Sequence, residues 1–233
     1  MRNTSLKSLE RFKMSKQLII LLDACRYDAL KSELPKYTRN FILFPMCSGS
    51  HNTATFYKNI TNVEDFVLLT ANPTPFYHRQ EYKWKKVIHT KSINPIDNLK
   101  ECVELLKSED KVYLHLIPPH IPWQGEAGKE VYKILMQKLK FSMRLETNGR
   151  HFGPIGIENQ IYQIIGRELA RKYYLENLNY ALSAIFKYYA KLPKPFVITS
   201  DHGELLDEDN LWGHSFDECN HHILKTVPVA VIY

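Results

Sequence analysis

From residue 17 onward, short runs of apolar residues alternate with stretches whose apolar positions recur every three or four residues. The runs at 17–22, 41–44, 66–70, 84–90, 111–116, 195–200 and 227–233 are short and rich in β-branched and aromatic residues, so they read as strands. Helical spacing runs through 130–145 and 160–190, the latter carried by Leu169, Tyr173, Tyr174, Leu178, Leu182, Ile185 and Tyr189. Asp97 or Asn98 can cap a further helix reaching about residue 107. This alternation predicts a three-layer α/β/α sandwich around a mostly parallel sheet. Residues 1–16 are polar and basic, with Leu6, Leu9 and Phe12 three apart, and read as an N-terminal arm. A single domain then fills 17–233. Within it, residues 147–159 carry Gly149, Gly153, Pro154 and Gly156, the composition of a flexible loop that would serve as a lid.

The 233 residues suffice for one sizeable core. No apolar run approaches the roughly 20 residues of a membrane-spanning helix. The early run Leu18 to Leu22 is also too short for a secretory leader, so the expected location is the cytoplasm. Cys25, Cys47, Cys102 and Cys219 are scattered, with no CxxC, which argues against a disulfide scaffold or a cysteine zinc knot. The net charge of +6 favours anionic partners, but the charge forms no long block and nucleic acid is disfavoured.

Chemistry collects where strands end. The run closing at Ser200 is followed by Asp201-His202-Gly203-Glu204, and Trp212-Gly213-His214 comes shortly after. Open α/β sheets bind ligands at the carboxyl ends of their strands. Asp201 and His202 offer one oxygen and one nitrogen ligand to an ion such as zinc or manganese, and His214 is a third candidate. Gly203 would let the backbone turn sharply. The first strand likewise ends on a carboxylate, Asp23, although Asp23 could equally cap the next helix. A hydroxyl-rich loop, Ser48-Gly49-Ser50-His51-Asn52-Thr53, leads into a short helical pattern. A hydroxyl there is either a helix cap or a nucleophile in the positive end of the helix dipole. His115 and His120 flank a proline-stiffened loop, Pro118-Pro119-His120-Ile121-Pro122.

Taken together and in this order, Leu21-Leu22-Asp23-Ala24-Cys25-Arg26, the Gly49–Thr53 loop, the His115–Pro122 segment, Thr199-Ser200-Asp201-His202-Gly203-Glu204 and Trp212-Gly213-His214 resemble a sulfatase-like member of the alkaline phosphatase superfamily. The resemblance runs from Asp23 nearly to the C-terminus. It implies a divalent ion (zinc, manganese or calcium, one or two) held by Asp23, Thr53, Asp201 and His202, with His214 as a further ligand. It implies that His120 and His214, with His115 added, contact the substrate's anionic group or a second ion. Sulfatases carry Cys-x-Pro-Ser-Arg, whose Cys becomes formylglycine; neither Cys47-Ser48-Gly49-Ser50 nor Cys25-Arg26-Tyr27-Asp28 has that pattern. A phosphoryl substrate therefore gains weight. Thr53 fits best as the nucleophile, because Phe56 follows it as an apolar helix residue; Ser50 is the alternative.

The expected activity is a metal-dependent hydrolase or transferase acting on a phosphoric ester through Thr53. The substrate would be an anionic small molecule or a glycan- or lipid-linked ester. Two rivals are a sulfuric ester hydrolase without formylglycine and a degenerate protein that only binds anions or glycans.

Overall fold

The computed structural model describes residues 16–79, 81–139, 161–162, 164–214 and 220–233. Its strands are β1 (Gln17–Leu22), β2 (Phe41–Cys47), β3 (Val67–Thr70), β4 (Lys86–His89), β5 (Lys111–Leu116), β6 (Phe196–Ser200), β7 (Leu205–Glu208), β8 (Leu211–Gly213) and β9 (Thr226–Ile232). Its helices are α1 (Tyr27–Glu33), α2 (Thr53–Asn59), α3 (Thr74–Tyr77), α4 (Pro95–Leu105), α5 (Gly125–Leu139), α6 (Arg167–Tyr188) and α7 (His222–Lys225). Seven strands form one sheet in the order β2-β9-β6-β1-β5-β3-β4, and β7 and β8 form a separate hairpin. Within the large sheet β9 alone runs against its neighbours, pairing antiparallel with both β2 and β6. The α/β layering with a mostly parallel sheet is the expected one.

The side-chain period of two explains the continuous apolar strands. Leu18, Ile20 and Leu22 of β1 face one layer, where α1, α4 and α6 supply Leu30, Leu99, Cys102, Tyr174, Leu178 and Leu182. Leu21 faces the opposite layer, a smaller cluster of Tyr57, Val63, Phe66, Leu68, Trp84 and Tyr113, with Ile19 packed against it. At the open edge, Ile42, Phe44 and Met46 of β2 stay exposed, on the face opposite Phe41 and Leu43.

Several boundaries differ from the sequence expectation. α4 begins at Pro95 and is capped by Asn94, whose side chain accepts from the Ile96 N–H, and not by Asp97 or Asn98. Asn-Pro is a strong helix start because the proline occupies a position whose N–H has no helical partner. β2 runs on to Cys47, since pairing with the full length of β9 carries it past the apolar stretch. The acidic stretch after Glu204 forms the β7–β8 hairpin, for which the apolar pattern predicted no strands. The arm over residues 1–15 and the glycine-bearing stretch 147–159 lie outside the described residues.

Candidate functional site

Parallel pairing of β1 with β6 places Leu22 opposite Ser200, so the residues that follow each strand, Asp23 and Asp201, emerge side by side. The backbone between β1 and α1 then turns tightly. Ala24 takes the left-handed conformation (φ 57°), which costs a non-glycine residue on the order of 1 kcal/mol. That turn lets the Ala24 N–H donate to Asp201 Oδ1 at 3.0 Å, and the His202 N–H donates to the same oxygen at 3.0 Å. The Ser200 hydroxyl donates at 2.7 Å to the Leu22 carbonyl and accepts from the Cys25 N–H at 2.7 Å, tying the two strand ends together.

With Oδ1 of Asp201 engaged by backbone, Oδ2 is free to face the Thr53 loop. Thr53 Oγ1 donates to Asp201 Oδ2 at 2.8 Å and lies 3.3 Å from His202 Nε2. His202 Nε2 is 3.4 Å from Asp201 Oδ2 and 3.7 Å from Asp23 Oδ1. One atom each from Asp23, Asp201 and His202 therefore fits within 4.8 Å. All three residues are buried, and Thr53 is only 8% exposed. His202 Nδ1 lies 2.7 Å from the Gly203 carbonyl, which fixes that nitrogen as the N–H and leaves Nε2 with its lone pair towards the cluster. Burial pushes the His202 pKa down, against the opposing pull of Asp201. Burial works to raise the Asp23 pKa, but the His115 contact and the charges of His120 and His202 outweigh it and hold the carboxyl well below the usual range.

Thr53 is not the cap of its helix. Asn52 is: its side chain accepts from the Thr55 N–H at 2.8 Å. The threonine hydroxyl is thereby released to the carboxylate. Ser50 is fully buried, and its hydroxyl has no hydrogen-bond partner among the described residues.

A second group lies against the first. His120, Glu204 and His214 also bring one ligand atom each within 4.8 Å of one another. His214 Nδ1 is 3.2 Å from Glu204 Oε2, and the His214 ring lies 4.3 Å from that of His202 and 5.0 Å from that of His120, between centroids. Glu204 is wholly buried; burial alone would raise its pKa, but His214 outweighs that and lowers it. Sequence reasoning quoted Glu204 without giving it a role, because a lone carboxylate after a glycine carries no local signal.

His115 belongs to neither ligand group. It is fully buried, near the end of β5, with Nδ1 2.7 Å from the Tyr57 hydroxyl and Nε2 3.4 Å from Asp23 Oδ2. In this arrangement its ring meets Asp23 rather than open space where a substrate could bind. Gly203 also has a different role from the one expected. Its φ is not positive; instead a Cβ there would lie 2.1 Å from the Ile223 carbonyl oxygen, so only glycine lets this loop approach the turn before β9. Its N–H donates to the Leu224 carbonyl at 2.8 Å. Arg26 anchors the rim, paired with Asp28 and Glu208 and donating to the Glu204 carbonyl.

Two carboxylates, an imidazole lone pair and a hydroxyl converging on one point make a donor set of oxygen and nitrogen suited to zinc or manganese; a ring nitrogen in the set weighs against calcium, which prefers oxygen alone.

No family profile matches the sequence, and no curated protein is significantly similar to it. The fold does match solved structures. The C-terminal periplasmic domain of phosphoethanolamine transferase EptC from Campylobacter jejuni aligns with a TM-score of 0.58 at 16% identity, covering 93% of this chain and 79% of that one. The integral membrane protein lipooligosaccharide phosphoethanolamine transferase A (EptA) from Neisseria meningitidis aligns at 0.57 and 17% identity, over 95% of this chain and 48% of that one. The periplasmic domain of Escherichia coli EptC, solved in complex with zinc, aligns at 0.50 and 16% identity, over 94% and 73%. The expectation of a cytoplasmic location does not stand. It rested on the want of a leader and of an apolar span, and the structures that share the fold include periplasmic domains. Among the described residues no helix is long and apolar enough to cross a membrane. In its fold this chain is similar to the phosphoethanolamine transferases EptC and EptA.

Proposed function

We propose that this protein is a metal-dependent phosphoric ester transferase or hydrolase in which Thr53 is the nucleophile. The observation that carries this reading is the placement of Thr53 Oγ1, 2.8 Å from Asp201 Oδ2 and 3.3 Å from His202 Nε2, with the cap of its own helix supplied by Asn52. Asp23, Asp201 and His202, with Thr53 itself, would hold a divalent ion. Such an ion lowers the pKa of a hydroxyl and offsets charge on a transferring phosphoryl group. Asp201 Oδ2 accepts the hydroxyl's hydrogen bond and orients its lone pair. As the bond from Thr53 to phosphorus forms, the bond to the leaving oxygen breaks and the threonine's proton departs with that oxygen; water or an acceptor hydroxyl then takes the phosphoryl group as the bond to Thr53 breaks, and its own proton returns to the threonine. His120, Glu204 and His214 lie beside this point and would meet the anionic group or a second ion.

The names of the structural neighbours support a lipid- or glycan-linked phosphoric ester as substrate and an extracytoplasmic place of action. The want of a formylglycine motif favours phosphorus over sulfur. Metal analysis together with a panel of chromogenic esters tests the reading. Bound divalent ion with turnover of phosphoric esters is expected. Preferred turnover of sulfate esters, or metal-free protein that binds anions without turnover, would overturn it.

A further inference from the structure

We infer that Tyr57, His115 and Asn72 form a buried positioning chain that fixes Asp23 relative to Thr53, so that one helix, α2, sets both the nucleophile and the carboxylate opposite it. The inference rests on the metal-site reading above, and it changes the role of His115 from a substrate contact to a positioning residue.

The two oxygens of Asp23 point to different neighbours. Oδ1 faces His202 Nε2 at 3.7 Å, on the side of Thr53 and Asp201. Oδ2 faces inward, accepting from Asn72 Nδ2 at 2.7 Å and lying 3.4 Å from His115 Nε2. The orientation of the Asn72 amide is fixed from outside: its Oδ1 accepts from the Thr74 N–H at 2.9 Å, which leaves the NH2 for Asp23. Its backbone N–H is held in turn by the Thr70 hydroxyl. β5 lies between β1 and β3, with His115 in register with Leu21 and Thr70, so Asp23, His115 and Asn72 come from adjacent strand ends.

His115 is oriented in the same way. The Tyr57 hydroxyl lies 2.7 Å from Nδ1; in the tautomer whose Nδ1 accepts from that hydroxyl, the ring proton sits on Nε2, the nitrogen 3.4 Å from the Asp23 carboxylate. Burial keeps the tyrosine protonated by pushing its pKa up. Nε2 is completely buried and makes no hydrogen bond of ordinary geometry, with Asp23 Oδ2 lying 3.4 Å from it. Tyr57 lies four residues after Thr53, so the two share a face of α2. A single turn of helix therefore touches Asp201 through Thr53 and Asp23 through Tyr57 and His115. Residues that orient a ligand from behind typically change metal affinity by about 10–100-fold when removed.

The test is metal binding by His115→Gln and Tyr57→Phe, measured by competition with a chromophoric chelator for zinc and by the visible spectrum of the cobalt-loaded protein. Tyr57→Phe deletes only a hydroxyl and guards against loss of the fold, which melting of the metal-free protein checks. We expect zinc affinity to fall about 10–100-fold in His115→Gln and less in Tyr57→Phe, with an altered cobalt spectrum in both. In turnover, kcat should fall with KM unchanged. Wild-type affinity and spectrum in both variants, or a raised KM with unaltered metal binding, would overturn the positioning role. If wild-type protein binds no divalent ion, the metal-site reading fails as well, and the two failures are thereby told apart.

Discussion

Thr53 donates to Asp201 Oδ2 at 2.8 Å while Asp201 Oδ1 takes the Ala24 and His202 N–H groups. The carboxylate is therefore locked by backbone on one side and offers a fixed acceptor to the hydroxyl on the other. Thr53→Ala should reduce turnover by on the order of 10³-fold or more. Stability of the metal-free protein should fall by about 1–3 kcal/mol, for the lost hydrogen bond to a buried carboxylate, and the helix should stay formed because Asn52 still caps it. Ser50→Ala should leave turnover near wild type. Steady-state rates and chemical denaturation of both variants check this; loss of activity in Ser50→Ala alone would reassign the nucleophile.

Asp201→Asn is the cleaner probe of metal binding. It keeps an oxygen for the two backbone N–H groups, replaces the other with an NH2 group and removes the negative charge. The variant should stay folded and lose bound metal, as read by elemental analysis after gel filtration. Asp201→Ala, by contrast, strands two buried N–H groups and should also lose about 2 kcal/mol of stability or more.

Glu204→Gln should weaken whatever His120 and His214 hold while sparing the ion at Asp23, Asp201 and His202. The expected result is reduced turnover with at least one ion per chain retained, measured by metal stoichiometry alongside kcat and KM. Complete loss of metal would show that the two groups form one site.

Gly203→Ala should destabilise the protein by about 3 kcal/mol or more, because its Cβ would overlap a carbonyl oxygen and something must shift. Thermal melting of the metal-free protein measures this. A change under about 0.5 kcal/mol, the range of ordinary surface substitutions, would mean that the loop approaches β9 less closely.

Acid lability should involve Arg26. Burial opposes ionisation of Asp28 and Glu208, but the Arg26 guanidinium outweighs it and lowers both pKa values. Groups with depressed folded pKa values stabilise fully above their unfolded values, 3.8 for Asp28 and 4.5 for Glu208, and the gain is lost as pH falls through the lower folded values. Arg26→Met should therefore flatten the stability profile below about pH 4.5. At neutral pH it should cost about 3 kcal/mol, since among the described residues it leaves Glu208 Arg171 as its one charged partner, beside the Leu206 N–H. Urea denaturation across pH checks both.

The strands, their order of appearance and the carboxylate and histidine at their ends were legible in the sequence, because short apolar runs and strand-terminal polar residues are local signals. The place of Thr53 at the start of a helix was legible too, through the helical pattern that follows it. The β7–β8 hairpin was not: its strands are three and four residues long, one carries a run of acidic residues, and neither shows a clean alternation. Gly203 was legible as a special position, but its reason lies in Ile223, twenty residues away in sequence, and no local rule points there. Asn72, Tyr57 and His115 look from sequence like a loop asparagine, a core aromatic and one more histidine. Only the pairing of β5 between β1 and β3, with α2 laid across them, brings all three behind Asp23. The sequence by itself determined which residue types the strand ends carry. The tertiary structure decided which oxygen of each carboxylate faces which partner, because that depends on register and helix placement, and both are set by packing between segments far apart in the chain.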